Sequence, residues 1–150
     1  MGAQDPEVQK LAYSIQFLED QANVLGQQQE FFAETLQGAK LTQNTLTELE
    51  TLPDNNEIIL PIGNRAFVRA LVQDPSKVLI AISKNIIMEK TVPDAQAFTQ
   101  KIIDDVSEAQ KRIQEQMEKV TQQLESLKGE LNRRMGGAPQ QQPEEASPDF

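Results

Sequence analysis

The sequence predicts an α+β fold, a long antiparallel two-helix coiled coil with two β-hairpins between the helices. Three observations carry that expectation. Seven-residue apolar repeats run through the stretches before and after the middle of the chain. Between them, Asn55 to Val92 holds four short β-branched stretches separated by turn residues. Capping and breaking residues stand where each helical repeat begins and ends.

The first helix starts at Asp5-Pro6-Glu7. Asp5 can cap, Pro6 suits the first helical position, and Glu7 favours the positive end of the helix dipole. The a positions of its repeat are Val8, Ile15, Ala22, Gln29, Leu36 and Gln43, and the d positions are Leu11, Leu18, Leu25, Phe32, Ala39 and Leu46. Only the two glutamines are polar, and they should weaken packing locally. Pro53 with Asp54-Asn55-Asn56 ends the helix near Leu52.

The middle stretch reads as strands Glu57–Ile62, Ala66–Val72, Lys77–Ser83 and Ile86–Lys90. Gly63-Asn64 is a hairpin-type turn in which glycine supplies a positive φ. Asp74-Pro75-Ser76 joins the middle pair, with proline presetting φ, and Ser83-Lys84-Asn85 closes the last hairpin. Together the strands are expected to form one small sheet, with apolar residues on both faces. Val78, Ile80 and Ile82 fall on one side of the third strand, Leu79 and Ala81 on the other. The chain offers no third helix or second sheet to cover them, and exposed strand edges invite pairing. The strands are therefore an assembly module, with its interface expected at Ile58, Leu60, Phe67, Val68, Leu71, Val78, Ile80, Ile82, Ile86 and Met88.

Thr91-Val92-Pro93-Asp94 opens the second helix, with either Thr91 or Asp94 as its cap. Its repeat runs Ile103, Val106, Gln110, Ile113, Met117, Val120, Leu124, Leu127 and Leu131, and Gly136-Gly137 stops it. The expected organisation is a flexible N-terminus at 1–6, a coiled-coil helix at 7–52, hairpins at 53–92, a second coiled-coil helix at 93–135 and a Pro/Gln/acidic disordered tail at 136–150. Helices of more than forty residues are ~60–70 Å long at ~1.5 Å per residue. Run back to back, they bring Val8, Leu11 and Ile15 close to Leu127, Leu131 and Met135.

Helix one carries a second apolar row outside the seam. Phe17, Val24 and Phe31 recur at the c position, and Tyr13 stands one turn before Phe17. A c position lies ~130° from the centre of the a/d seam, so a two-stranded coil leaves these side chains in water. Two readings stand side by side: single exposed apolar residues are ordinary, or are covered by a neighbouring helix, whereas a contiguous exposed strip is a binding surface. Leu41, Leu49, Leu52, Phe98 and Ile102 are near enough to the strands to pack there.

Composition excludes several function classes. A net charge of −9 and a pI near 4.5 argue against nucleic acid and anionic membrane surfaces. Without cysteine there is no disulfide frame, and a reducing cytoplasm fits. Met1–Pro6 has no basic or apolar signal region, and no apolar run approaches the ~20 residues that span a bilayer. Absence of both histidine and cysteine removes the commonest general base and the best thiol nucleophile. Asp104-Asp105 point ~100° apart on a helix, and Glu144-Glu145 lie in the tail, so neither forms a paired-carboxylate site. No metal, nucleotide or other cofactor motif is present, and the chain does not read as an enzyme.

In this layout the chain resembles an α-class subunit of the prefoldin family, over residues 7–135. Ile59-Leu60-Pro61-Ile62-Gly63 followed by Ala66-Phe67-Val68-Arg69-Ala70 is similar to the family's first hairpin. Lys77-Val78-Leu79-Ile80-Ala81-Ile82 and Ile86-Ile87-Met88-Glu89-Lys90 resemble its second. Two hairpins rather than one imply the α class. Gly63-Asn64-Arg65 departs from the smaller Gly/Ala-type turn expected there. The resemblance implies a hexamer of two α and four β subunits, whose strands complete a double β-barrel and whose coiled coils hang from it. It implies an ATP-independent holdase that captures unfolded polypeptides and delivers them to a group II chaperonin. The residues expected to bind clients are Val8, Leu11, Tyr13, Ile15, Phe17, Val24, Phe31, Leu127, Leu131 and Met135. The alternative is a coiled-coil scaffold that oligomerises through its hairpins and binds one folded partner.

Overall fold

The structure, a computed structural model, describes residues 5–136. Of the flexible N-terminus expected at 1–6, residues 1–4 lie outside the described residues, while Asp5 and Pro6 form the start of α1; of the tail expected at 136–150, the residues from 137 onward lie outside the described residues. The elements run α1 (Pro6–Leu49), β1 (Asn56–Pro61), β2 (Phe67–Val72), β3 (Lys77–Ser83), β4 (Ile86–Thr91) and α2 (Val92–Arg134). Two long helices with two antiparallel hairpins between them are what the repeats and turn residues dictate.

Each helix boundary has a local cause. Asp5 caps α1, its carboxylate accepting from the Glu7 amide at 3.0 Å and its carbonyl from the Gln9 amide at 3.1 Å. The helix stops at Leu49, one turn short of the expected Leu52. Tighter bonds from the Thr51 amide to the Glu48 carbonyl and from the Leu52 amide to the Leu49 carbonyl close the last turn. The Pro53 ring disfavours helical backbone at Leu52 itself. Asn55 then takes a φ of 58°, a left-handed conformation that asparagine tolerates better than most residues. For α2 the cap is Thr91, whose Oγ1 accepts from the Asp94 amide at 3.3 Å. Gly136, at φ 77°, terminates α2 in the conformation glycine adopts at least cost.

The strands form two separate two-stranded sheets, β1–β2 and β3–β4, rather than the single expected sheet. The link between β2 and β3 explains the split. Pro75 has no amide proton, and the Ser76 amide and hydroxyl both donate to the Asp74 carboxylate. The Ser76 carbonyl accepts from the Val92 amide at 3.0 Å. The groups that would begin a β2–β3 ladder are thus already engaged. The first hairpin is closed by the Ile62 amide donating to the Ala66 carbonyl at 2.9 Å, across Gly63 at φ 149°. In the second, neither Lys84 nor Asn85 has a positive φ, and β3 absorbs the mismatch with a bulge between Ala81 and Ser83.

The described residues fall into two compact units, one from the segment up to Gln28 with the segment from Ile113, the other from Gln29–Arg112. In the first, Ile15, Leu25, Ile113 and Val120 are buried. Glu19 pairs with Lys128 at 2.7 Å and Glu7 pairs with Arg134, so the two helical segments run antiparallel. In the second, Leu46, Val92 and Ala95 form the core, with Leu49, Val78 and Ile80 packed against it. The inner face of β3 is thereby anchored where α1 ends and α2 begins.

The seam follows the heptads closely. Every predicted apolar a and d position of α1 is buried or half-buried, while Gln29 is exposed. Gln43 is half-buried, and its Oε1 has no hydrogen-bond partner. An unsatisfied buried acceptor of this kind costs about 1–3 kcal/mol, which makes this the weak point the repeat predicted. Leu41 departs from expectation, being 68% exposed rather than packed under the strands. It lies five residues before Leu46, and at ~100° per residue that step turns it to the other side of the helix.

Candidate interaction surfaces

Two sets of uncovered apolar side chains stand out. On the first unit, Tyr13 and Phe17 are separated by four residues and so share one face of α1. They are 73% and 68% exposed. With Ser14 and Leu18 they form one wall of a groove of about 570 Å³, whose other wall is Gln123, Ser126 and Leu127 of α2. Leu18 and Leu127 are half-buried seam residues that supply an apolar floor. No side chain lining the groove is charged at neutral pH. Ser14, Gln123 and Ser126 can donate to or accept from a peptide group, so the groove suits an apolar side chain together with its backbone.

The structure thus brings together three of the expected client-binding residues, Tyr13, Phe17 and Leu127. Ile15 is buried in the seam, and Val8, Leu11 and Leu131 are half-buried. Val24 and Met135 are exposed but are not among the residues that line the groove. Phe31 belongs to the other unit, where its exposed ring stands 5.7 Å from that of Phe32 at 59°. Sequence reasoning missed Ser14, Leu18, Gln123 and Ser126. Leu18 was legible only as a seam residue, and small polar residues beside a seam carry no signal until both helices are in place.

The second set lies on the hairpins. Register puts Ile58, Leu60, Val68, Ala70 and Val72 on one face of the first hairpin, and Ile59, Phe67 and Leu71 on the other with Glu57 and Arg69. Glu57 and Arg69 pair diagonally at 3.4 Å. On the second hairpin, Val78, Ile80 and Met88 share a face, and Leu79, Ala81 and Ile87 share the opposite one with Lys77 and Glu89, which pair at 3.6 Å. Of the expected interface, Val78 and Ile80 are half-buried against the chain's own core and Ile58 is half-buried. Leu60, Phe67, Val68, Leu71, Ile82, Ile86 and Met88 are exposed. Ile59, Leu79 and Ile87, absent from that expectation, are exposed as well, the last two at 70% and 66%.

Electrostatics at these surfaces are mild. Asp74 is held below the usual carboxylate range by the hydrogen bonds it accepts from the Ser76 side chain and amide. The Glu7 carboxylate, and after it Glu130, holds the Arg134 proton more firmly than in a free guanidinium. Among the described residues no cluster of histidine, cysteine or acidic side chains could hold a metal ion. No described helix is long and apolar enough to cross a membrane.

Comparison with known proteins agrees with this architecture. The family model described as prefoldin subunit matches residues 11–136. The chain is 27% identical to the prefoldin subunit alpha of Pyrococcus horikoshii over 143 residues, covering 95% of this chain and 94% of that one. It is 31% identical to the prefoldin subunit alpha of Methanoregula boonei over 133 residues, covering 89% and 86%. Among solved structures, a chain of filamentous PFD from Methanocaldococcus jannaschii is similar with a TM-score of 0.66, at 19% identity, covering 79% of this chain and 98% of that one. The prefoldin beta subunit from Thermococcus strain KS-1 is similar with a TM-score of 0.61, also at 19% identity, covering 92% and 100%. At that identity the two structures bear on the fold alone.

Proposed function

The chain belongs to the prefoldin family, a family of chaperone subunits, and on that premise we propose that it is one subunit of an ATP-independent holdase. It captures unfolded polypeptides on its coiled-coil surface and delivers them to a group II chaperonin. Its hairpins are completed by prefoldin beta subunits in an assembly of two α and four β chains. The observation that carries the reading is the uncharged groove beside the exposed rings of Tyr13 and Phe17. An unfolded client offers apolar side chains in no fixed arrangement, and an open apolar strip with a few adaptable polar groups accepts them without demanding one shape. The hairpins support the assembly part of the reading, because apolar faces of this extent on a single chain call for a protein neighbour.

The test is to replace Phe17, Val24 and Phe31 by serine in the chain assembled with a beta-type partner. Helix content and native mass are expected to stay unchanged, while suppression of light scattering from several unrelated denatured proteins falls. Undiminished suppression by the triple variant would refute capture on this row.

A further inference from the structure

Packing along the seam of the second unit is uneven. At its base Leu46, Val92, Ala95 and Thr99 are buried. Among the described residues, none from Gln29 to Thr45 and none from Gln100 to Arg112 is buried, and the seam side chains there are half-buried at most. We propose that this stretch is a built-in opening, in which α1 parts from α2 between Gln29 and Asn44 while the core at Leu46 stays closed. Its seam layers are poor. Gln29 is exposed at an a position, and Gln43 holds its Oε1 buried without a partner. Opening returns that acceptor to water, which removes a penalty carried only by the closed state.

A groove of about 500 Å³ runs beside the same layers, between Leu36, Lys40 and Leu41 of α1 and Gln110 of α2, so its walls lack packing partners on one side. The helix is weak here in its own right. Gly38 stands in its interior, and Thr35, Thr42, Thr45 and Thr47 each donate the side-chain hydroxyl to the carbonyl four residues earlier, at 2.9–3.1 Å. Glycine and threonine are poor helix formers, and such back-bonds slightly destabilise and bend a helix. No charge clamps the stretch either: none of the ion pairs among the described residues involves a residue from Gln29 to Thr47. Opening uncovers Phe32, Leu36 and Ala39, half-buried when closed, beside Phe31 and Leu41, which are exposed already. Val78 and Ile80 pack on the core at Leu46, so the second hairpin keeps its anchor throughout. The coil thereby gains a transient apolar face without loosening that hairpin.

The experiment is amide hydrogen exchange, read by mass spectrometry on the full chain assembled with its beta-type partner and without client. Amides from Phe32 to Asn44 are expected to exchange at least about tenfold faster than those of Ile15–Leu25 on the same helix and Phe98–Gln100 beside the buried Thr99. Gly38→Ala, where an added Cβ meets nothing within 4 Å, is expected to slow them about 5-fold. Gln43→Leu is expected to slow them about 5-fold or more. Gly129→Ala, an equally open helical site in the first unit, should leave them unchanged. Exchange from Phe32 to Asn44 no faster than at either reference stretch would overturn the proposal. So would fast exchange that neither Gly38→Ala nor Gln43→Leu slows, or that Gly129→Ala slows as much. Because no client is present, this outcome and that of the capture test are independent.

Discussion

Two leucines on one helix separate packing from patterning. Leu46 is 3% exposed and forms the base core with Val92 and Ala95, while Leu41, five residues earlier, is 68% exposed. Truncating a buried leucine to alanine loses its transfer energy and leaves a cavity, together about 2–5 kcal/mol. The core that Leu46 belongs to draws side chains from both helices and from β3, which leaves little room for collapse, so Leu46→Ala should cost about 3 kcal/mol. Leu41→Ala should stay within about 0.5 kcal/mol. The comparison is clean because both changes are Leu→Ala in α1, so helix propensity cancels. The assay is urea unfolding followed by circular dichroism, at matched protein concentration because assembly shifts apparent stability. With a urea slope of about 1–3 kcal/mol per molar, the Leu46 variant should unfold about 1–3 M earlier than wild type. Equal losses at the two sites would refute the burial argument, and with it the anchoring of β3 to the helices.

Leu79→Asp with Ile87→Asp, on the exposed face of the second hairpin, should reduce native mass and leave helix content intact; an unchanged hexamer-sized mass would clear that face of any role in assembly. Ser76→Ala should raise the Asp74 carboxyl towards its ordinary value, read by NMR titration. Because Asp74 is depressed in the fold, its contribution to stability is present above the unfolded carboxyl value of about 3.9 and fades as pH falls through the folded one. In the variant that acid-side dependence should shrink. Client capture by an uncharged groove should persist from 0.1 to 1 M salt, over which the screening length falls from about 10 to 3 Å; a steep loss would assign capture to charge instead.

Much of the fold was legible because its determinants are local. A seam residue is fixed by its place in a seven-residue repeat, and Asp5, Gly136 and the hairpin turns act within a few residues of themselves. What the sequence withheld depends on partners far along the chain. Both faces of β3 are apolar, so pattern alone cannot say that Val78 and Ile80 meet Leu46 and Val92 while Leu79 stays outside. The choice between Thr91 and Asp94 turns on the path of β4, which runs straight into the helix and leaves Thr91 at the junction. The split between the sheets rests on three hydrogen bonds around Ser76, and only the one made by Val92 links residues distant in sequence.

The size of the groove limits what one chain can do. Burying a single phenylalanine or leucine yields about 1.5–3 kcal/mol. Ordering the side chains that hold it costs about 0.5–1.5 kcal/mol each, before any loss of client freedom. What remains is too little to retain a client at one groove. Retention then requires several coiled coils engaging one polypeptide, where each added contact acts at an effective concentration set by the span between them. On the proposed reading, the assembly that covers the hairpins is for that reason also the condition for capture. On the same reading, damage to Leu79 and Ile87 should abolish capture, although both lie on the second hairpin and neither lines the groove.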